Sequence, residues 1–237
     1  MCHMPQKKRK RKDTTEVMKR NIDLSEVSDG KLYSINDMAK LGCQDCAGCS
    51  SCCKGMGSSI ILDPMDVFRI SKKTGMGFEG LLQAHIELNV VDGIILPNLK
   101  LTGLNEACTF LNSEGRCSIH DARPGICRLF PLGRYYEDGD YKYFLQIHEC
   151  EKKNRTKVKV EKWVDTPNYS KYKAYILEWH YFLNGVEELL VKESDENFSK
   201  QCCMLILQAF YMRPYNMERD FYEQFAERMK IVKDAGL

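Results

Sequence analysis

The chain has 237 residues, of which 43% are hydrophobic and 29% charged, and its formal net charge is +2. This balance is typical of a globular protein with its own core, so the twelve cysteines do not replace a missing core as in small secreted disulfide scaffolds. The small net charge favours no charged partner, and no apolar run reaches the roughly 18 residues of a membrane span.

The first 22 residues are predicted to form a disordered basic tail. Residues 7–12 are six consecutive bases, and no apolar segment follows them as in a secretory signal. Such a run can bind nucleic acid or act as a nuclear address, but no aromatic residue is interleaved for base stacking. We expect a solvated tail without a nucleic-acid partner, in a protein of the reducing cytoplasm.

The next part of the chain contains helix signals on both sides of a cysteine-rich loop. Residues 23–42 are predicted to end in a short helix with a glycine stop. Asp63 and Pro64 are the residue types that cap and begin a helix, which is predicted to end near Gly75. A second helix is predicted from residue 78 to about residue 88.

The remainder divides into a β-rich part and a helical part. Residues 90–150 contain short apolar runs separated by turn dipeptides at 92–93, 114–115 and 138–139. Residues 168–192 and 195–233 have the apolar spacing of amphipathic helices, and Pro214 divides the last segment. The apolar stripe of the first helix is interpreted as packing and contains these residues: Tyr172, Tyr175, Ile176, Trp179, Phe182 and Leu183.

These elements predict an α+β protein. A small loop- and β-rich cysteine-cluster domain with flanking helices is expected over residues 23–162. A helical C-terminal region over residues 163–237 is expected to pack on it.

Cysteines are the main candidates for function. Nine of the twelve lie between residues 43 and 150, and the first five follow the pattern C-x2-C-x2-C-x2-C-C. Spacing by two residues lets a single loop direct several thiolates at one centre, which suits zinc and iron–sulfur clusters. Cys43 is left open, as a ligand or a spare thiol. The predicted metal ligands are the other eight: Cys46, Cys49, Cys52, Cys53, Cys108, Cys117, Cys127 and Cys150.

The order of the motifs resembles a known family. After C-x2-C-x2-C-C come Cys108-Thr-Phe-Leu, then Cys117-Ser-Ile-His-Asp-Ala-Arg-Pro-Gly-Ile-Cys127-Arg-Leu-Phe-Pro131, and finally Cys150. This resembles the YkgJ-type cysteine-cluster family of zinc- or iron-chelating domains over residues 43–150, although Ser50 stands where the family usually has glycine. The pattern is also similar to that of the larger flagellin lysine N-methylases, which carry an iron–sulfur cluster.

The number of cysteines leaves several arrangements open. A closed zinc site or a 4Fe–4S cluster takes four cysteines, so eight allow two sites, or one site with supporting thiols. Adjacent Cys52 and Cys53 cannot easily both face one small centre. His120 and His148 could replace a thiolate, although a hydrogen-bonding role is preferred for each. The 4Fe–4S cluster is favoured over zinc, mainly through the methylase resemblance.

Three functions are carried forward. The first is a metal-binding protein of unspecified role, whose helical region packs on the cysteine domain or binds a protein partner. The alternative is an iron–sulfur-dependent enzyme, similar to protein-lysine N-methyltransferases or acting in redox chemistry; whether the chain is an enzyme is left open. The third is a metal-free thiol redox module with disulfides. No membrane partner is expected.

Overall fold

The computed structural model describes residues 23–43, 49–152, 154–193 and 195–237. These residues form an α+β protein, which confirms the predicted fold class. The predicted tail at 1–22 and the candidate ligand Cys46 lie outside the described residues.

The helices bracket the β-rich part and dominate the C-terminal part. The α-helices are α1 (Leu24–Val27), α2 (Pro64–Thr74), α3 (Phe78–Ala84), α4 (Gly125–Leu129), α5 (Val160–Val164), α6 (Tyr169–Glu193), α7 (Glu196–Leu207) and α8 (Phe221–Asp234). Short 3-10 turns cover Ser51–Cys53 and His120–Ala122, and a π-helical turn, Gln208–Met212, extends α7.

The strands form small antiparallel sheets. They are β1 (Ser28–Tyr33), β2 (Met38–Gly42), β3 (Ile86–Val91), β4 (Ile94–Leu99), β5 (Leu101–Thr102), β6 (Ala107–Cys108), β7 (Leu132–Glu137), β8 (Asp140–Gln146) and β9 (Thr156–Lys159). Strand β8 lies between β1 and β7, while β2 pairs with β9, β3 with β4, and β5 with β6. In the described residues the sheets are therefore two or three strands wide, and the helices must cover their apolar faces.

Helix α2 begins and ends where its sequence predicts. The Asp63 side chain accepts a hydrogen bond from the Asp66 amide, and the Asp66 side chain accepts one from the Asp63 amide, so the two form a capping box. Pro64 occupies the first helical position, and Gly75 ends the helix in the left-handed conformation with φ 72°.

Two sequence predictions about the secondary structure are wrong. The end of residues 23–42 forms strand β2, where Ala39 and Leu41 are buried and alternate with exposed neighbours. This strand forms because it pairs with the distant β9, with Ala39 opposite Val158. The helix predicted to reach about residue 88 ends at Ala84, because the following residues pair with β4 as strand β3.

The predicted turns join the hairpins. Asp92 and Gly93 connect β3 to β4, and Asp138 and Gly139 connect β7 to β8. All four residues have positive φ, between 50° and 81°. Such turns need residues that tolerate the left-handed region, which explains why these dipeptides mark hairpins in the sequence.

Hydrogen bonds join the C-terminal helical region to helix α2 and to the residues just before it. The Met65 amide donates to the Tyr175 hydroxyl over 3.1 Å, and the Tyr211 hydroxyl donates to the Leu62 carbonyl over 2.9 Å. The apolar stripe of α6 is buried or partly buried, as its spacing predicts. Buried residues on both sides of residue 162 belong to one hydrophobic cluster. A domain boundary at that point stays a prediction.

In the described part of the chain, no helix combines the length and the apolar composition needed to cross a membrane.

Candidate metal centre

The first cysteine loop is fastened to strand β6. The adjacent residues Cys52 and Cys53 lie in a 3-10 turn. A hydrogen bond from the Cys53 amide to the Ser50 carbonyl, over 2.9 Å, closes this turn. Lys54 then forms a bridge with Ala107, and the Gly55 amide donates to the Glu106 carbonyl over 3.0 Å. These bonds bring the vicinal cysteines to Cys108, more than fifty residues later in the chain.

A tight hairpin then returns the chain to the same place. Leu111 forms a bridge with Cys117, and the Ser118 amide donates to the Phe110 carbonyl over 2.8 Å. The Asn112 side chain stabilises the connecting turn by accepting from the Glu114 and Arg116 amides. The sequence predicted this turn, and it brings Cys108 and Cys117 close together.

Cys127 reaches the site on the short helix α4. The Asp66 side chain accepts a bond from the Gly125 amide over 2.7 Å, which ties the first residue of α4 to α2. At the other end of α4, the Trp163 indole N–H donates to the Leu129 carbonyl over 3.2 Å. Arg128 is buried and donates to the Thr166 hydroxyl over 2.9 Å. Both ends of the helix that carries Cys127 are therefore held by side chains from other elements.

One cleft receives thiols from both motifs. Six of the eight predicted ligands line it: Cys49, Cys52, Cys53, Cys108, Cys117 and Cys127. Cys150 does not line the cleft, but the next residue, Glu151, accepts a bond from the Ser51 hydroxyl over 2.7 Å and so reaches the first loop. Cys43 follows strand β2 and does not line the cleft either.

Burial strongly disfavours thiolates in this cleft when no cation is present. Desolvation is the largest cause that raises the pKa values of Cys108, Cys117 and Cys127. The pKa of Cys52 is raised chiefly by its hydrogen bond with the Cys53 thiol, and then by burial. A bound metal cation would reverse this preference by stabilising the thiolates, so metal binding there would release protons.

The donor set suits a soft metal. Thiolate sulfur is the preferred ligand of zinc and of iron–sulfur clusters. Within the described residues, no three Cys, His, Asp or Glu side chains already form a ready-made metal site. Since Cys46 lies outside those residues, the thiols that line the cleft are a partial set of the predicted ligands.

The histidine of the second motif has a hydrogen-bonding partner. His120 lines the cleft, and its Nε2 pairs with the Arg123 guanidinium over 2.9 Å. The adjacent Asp121 is tied to α2 by Lys73 over 2.8 Å and, through its carbonyl, by Arg69 over 2.7 Å. This pairing agrees with the preferred hydrogen-bonding role of His120, whereas His148 does not line the cleft.

The cleft extends beyond the thiols to a polar end that the sequence reasoning missed. Strand β7 contributes Arg134 and Tyr136, and helix α6 contributes His180 and Asn184. His180 and Asn184 are four residues apart and so lie on one face of the helix. Polar residues at these positions interrupt the apolar stripe of α6, and this was the available sequence signal.

His180 gives the polar end a testable pH dependence. Burial, and then the positive charge of Arg134, lower the pKa of His180 from 6.5 to about 4. Between these values the unfolded chain binds a proton that the folded protein does not, so stability falls as the pH falls from about 6.5 towards 4. After allowance for partial solvent exposure, we expect this group to account for about 1 kcal/mol.

Urea unfolding at pH 7.5 and pH 4.5 checks this expectation. The His180→Gln variant should lose less stability on acidification than the unaltered protein, because glutamine does not titrate. Equal losses in the two proteins would show that His180 does not contribute.

The fold and the cleft define a cysteine-rich protein with the donors of a soft-metal chelator. A family model described as "CxxCxxCC: Putative zinc- or iron-chelating domain" matches residues 45–163, half of the chain, and the chain belongs to this family. This confirms the resemblance based on the cysteine motifs. Neither a search of curated proteins nor a search of solved structures finds a match.

Proposed function

We propose that the cysteine cleft holds an iron–sulfur cluster, with 4Fe–4S in preference to zinc. The observation that carries the proposal is the meeting of thiols from both motifs in one cleft, although Cys53 and Cys108 are far apart in sequence. Nothing in the packing of a purely structural hairpin requires so many partly buried thiols, since a core is filled more simply by aliphatic side chains.

Four of the thiols form the best candidate ligand set. Cys52 is near enough to influence the pKa values of Cys108, Cys117 and Cys127. Four cysteines are the number that either a cluster or a closed zinc site requires. We therefore assign these four to the inner set. The other predicted ligands, Cys46, Cys49, Cys53 and Cys150, would support this set or form a second site.

Anaerobic purification with metal and sulfide analysis tests the proposal. We expect a brown protein that absorbs at about 400 nm and contains iron and acid-labile sulfide in similar amounts. A colourless protein that contains zinc and no sulfide would indicate a structural zinc site and would contradict the proposed cluster. A protein without metal and with few free thiols would favour the disulfide redox module instead.

An enzyme is the second candidate, and the open cleft beside the thiols favours it. A centre that is only structural needs no adjoining cavity, whereas a redox or methyltransferase-like enzyme needs space for a substrate. A cluster that can be reduced and reoxidised reversibly, at a potential altered by a molecule in the cleft, would support this candidate.

The cellular location of the protein and its possible protein partner are part of the proposal. Thiol ligands persist most readily in the reducing cytoplasm. Buried residues of helices α6, α7 and α8 belong to the same hydrophobic cluster as buried residues of strands β4 and β8. A protein partner would therefore have to use the outer faces of these helices.

A further inference from the structure

Strand β3 has one edge without a neighbouring strand. Its other edge pairs with β4 over the whole length of both strands. The far edge of β4 is occupied, because the Leu62 amide donates to the Pro97 carbonyl over 2.8 Å. Among the described residues, no strand and no isolated bridge pairs with the outer edge of β3. The hairpin of β3 and β4 therefore ends in an open edge.

The register of the hairpin shows which backbone groups point away from β4. The Lys100 amide donates to the His85 carbonyl over 2.8 Å, so this pair is one of the hydrogen-bonded pairs of the hairpin. Hydrogen-bonded and non-hydrogen-bonded pairs alternate along an antiparallel ladder. Every second residue of β3 therefore directs its N–H and C=O outward, and these residues are Ile86, Leu88 and Val90. No other backbone group in the described part of the chain bonds to them.

The same residues form an apolar face that is partly exposed. Val90 is 66% exposed and Leu88 is 40% exposed. Their cross-strand neighbours on β4 are Ile95 and Pro97, which are also apolar. Apolar side chains and free backbone groups thus occur together at this edge, which is the combination that favours pairing with another strand.

Soluble proteins usually protect an open edge with lysine, proline or a β-bulge. The outer strand β9 carries Lys157 and Lys159, and the pairing of β1 with β8 contains a register shift. Strand β3 contains neither lysine, arginine nor proline, and its pairing with β4 is regular. It therefore lacks the features that prevent a further strand from binding.

A second copy of β3 is complementary to this edge. When two copies pair antiparallel about a twofold axis with Leu88 opposite Leu88 of the other copy, the outward-facing groups of both strands meet. Ile86 then lies opposite Val90 of the other copy. Glu87, the charged residue of the strand, lies opposite Asn89 and not opposite a second glutamate. Apolar side chains therefore meet apolar side chains, and no like charges are opposed.

We propose that the protein forms a symmetric dimer through β3, in which the two β3–β4 hairpins join into one antiparallel sheet. Each copy satisfies the free backbone groups of the other, and Leu88 and Val90 are removed from water. No residue of β3 lines the cysteine cleft, so the proposal does not depend on which metal the cysteines hold.

Sedimentation velocity of the full-length protein, purified anaerobically and kept with a reductant, tests the proposal over a range of protein concentrations. We expect a reversible monomer–dimer equilibrium with a dissociation constant on the order of 10 μM, as for a small interface. The reductant excludes dimers that are linked by disulfides.

A charge at the edge should prevent the pairing. Val90→Lys places a lysine opposite Ile86 of the other copy, so the dimer should dissociate at least about tenfold more readily. The monomer should still fold, because Val90 is largely exposed. The control Ile231→Lys adds the same charge at a 40% exposed position on α8 and should leave the equilibrium unchanged.

Two substitutions of Asn89 test the register through shifts of opposite sign. Asn89→Lys places a lysine opposite Glu87 at both ends of the interface, so it should tighten the dimer about fivefold. Asn89→Glu opposes two carboxylates at the same places and should weaken the dimer by a similar factor. Misfolding and non-specific association would not produce opposite shifts.

Three results would overturn the proposal. The first is a protein that stays monomeric at the highest concentration measured, which would leave the edge of β3 to a different partner. The second is a dimer that Val90→Lys does not weaken, which would assign the contact to another surface. The third is a shift of the same sign in both Asn89 variants, which would exclude the pairing of Glu87 with Asn89.

Discussion

Replacing Cys127 by alanine is expected to remove most of the metal from the protein. Cys127 lines the cleft from α4 and lies close enough to Cys52, Cys108 and Cys117 for their charges to affect its pKa. Loss of this thiolate leaves three of the four ligands that the centre requires. Because metal binding in such sites supplies folding free energy on the order of 10 kcal/mol, the variant should also unfold at a much lower denaturant concentration.

The matched control is Cys202→Ala. Cys202 is also helical, but it is more deeply buried than Cys127, lies on α7 and does not line the cleft. This variant loses the same atoms, so it should lose a little stability from the cavity and keep its full metal content. Metal analysis after anaerobic purification and urea unfolding measure the two effects. Similar metal loss in the two variants would contradict the assignment of Cys127 as a ligand.

Local signals in the sequence account for the parts of the fold that could be predicted. The cap residues Asp63 and Pro64 begin helix α2, and Gly75 ends it, because each has its effect within one turn of the helix. The Asp-Gly pairs act in the same way on the hairpins. These elements depend on residues only a few positions away, so they can be predicted from the sequence without knowledge of the tertiary structure.

Elements that depend on distant partners could not be predicted in this way. Strand β2 owes its conformation to pairing between Lys40 and Lys157, residues that are far apart in the sequence. The polar end of the cleft has the same origin, since Arg134 and Asn184 meet only when α6 packs against β7. The cysteine motifs were the exception, because the motif order shared with the family led us to expect both motifs at one place, and six of the eight cysteines do line one cleft. Their role as ligands stays a prediction.

Replacing Asp66 by alanine is expected to destabilise the protein and to weaken metal binding together. The buried Asp66 side chain accepts from the Gly125 amide over 2.7 Å and from the Asp63 amide over 3.2 Å. Alanine leaves both N–H groups without a partner, at about 1–3 kcal/mol each. The bond to Gly125 also fastens α4, so its loss should let Cys127 move away from the other thiols.

Denaturant unfolding and metal titration of the Asp66→Ala variant check this coupling, with Asp195→Ala as the control. Asp195 is the N-cap of α7 and accepts from the Asn197 amide over 2.9 Å, but it has no bond to the cysteine elements. Its replacement should cost about 1 kcal/mol, as expected for a helix cap, without change in metal affinity. Asp66→Asn retains an oxygen acceptor for Gly125 and should therefore keep more of the metal affinity than Asp66→Ala. If Asp66→Ala binds metal as tightly as Asp195→Ala, the bond between α2 and α4 does not position Cys127, and the hold on that helix must come from Trp163 and Arg128 instead.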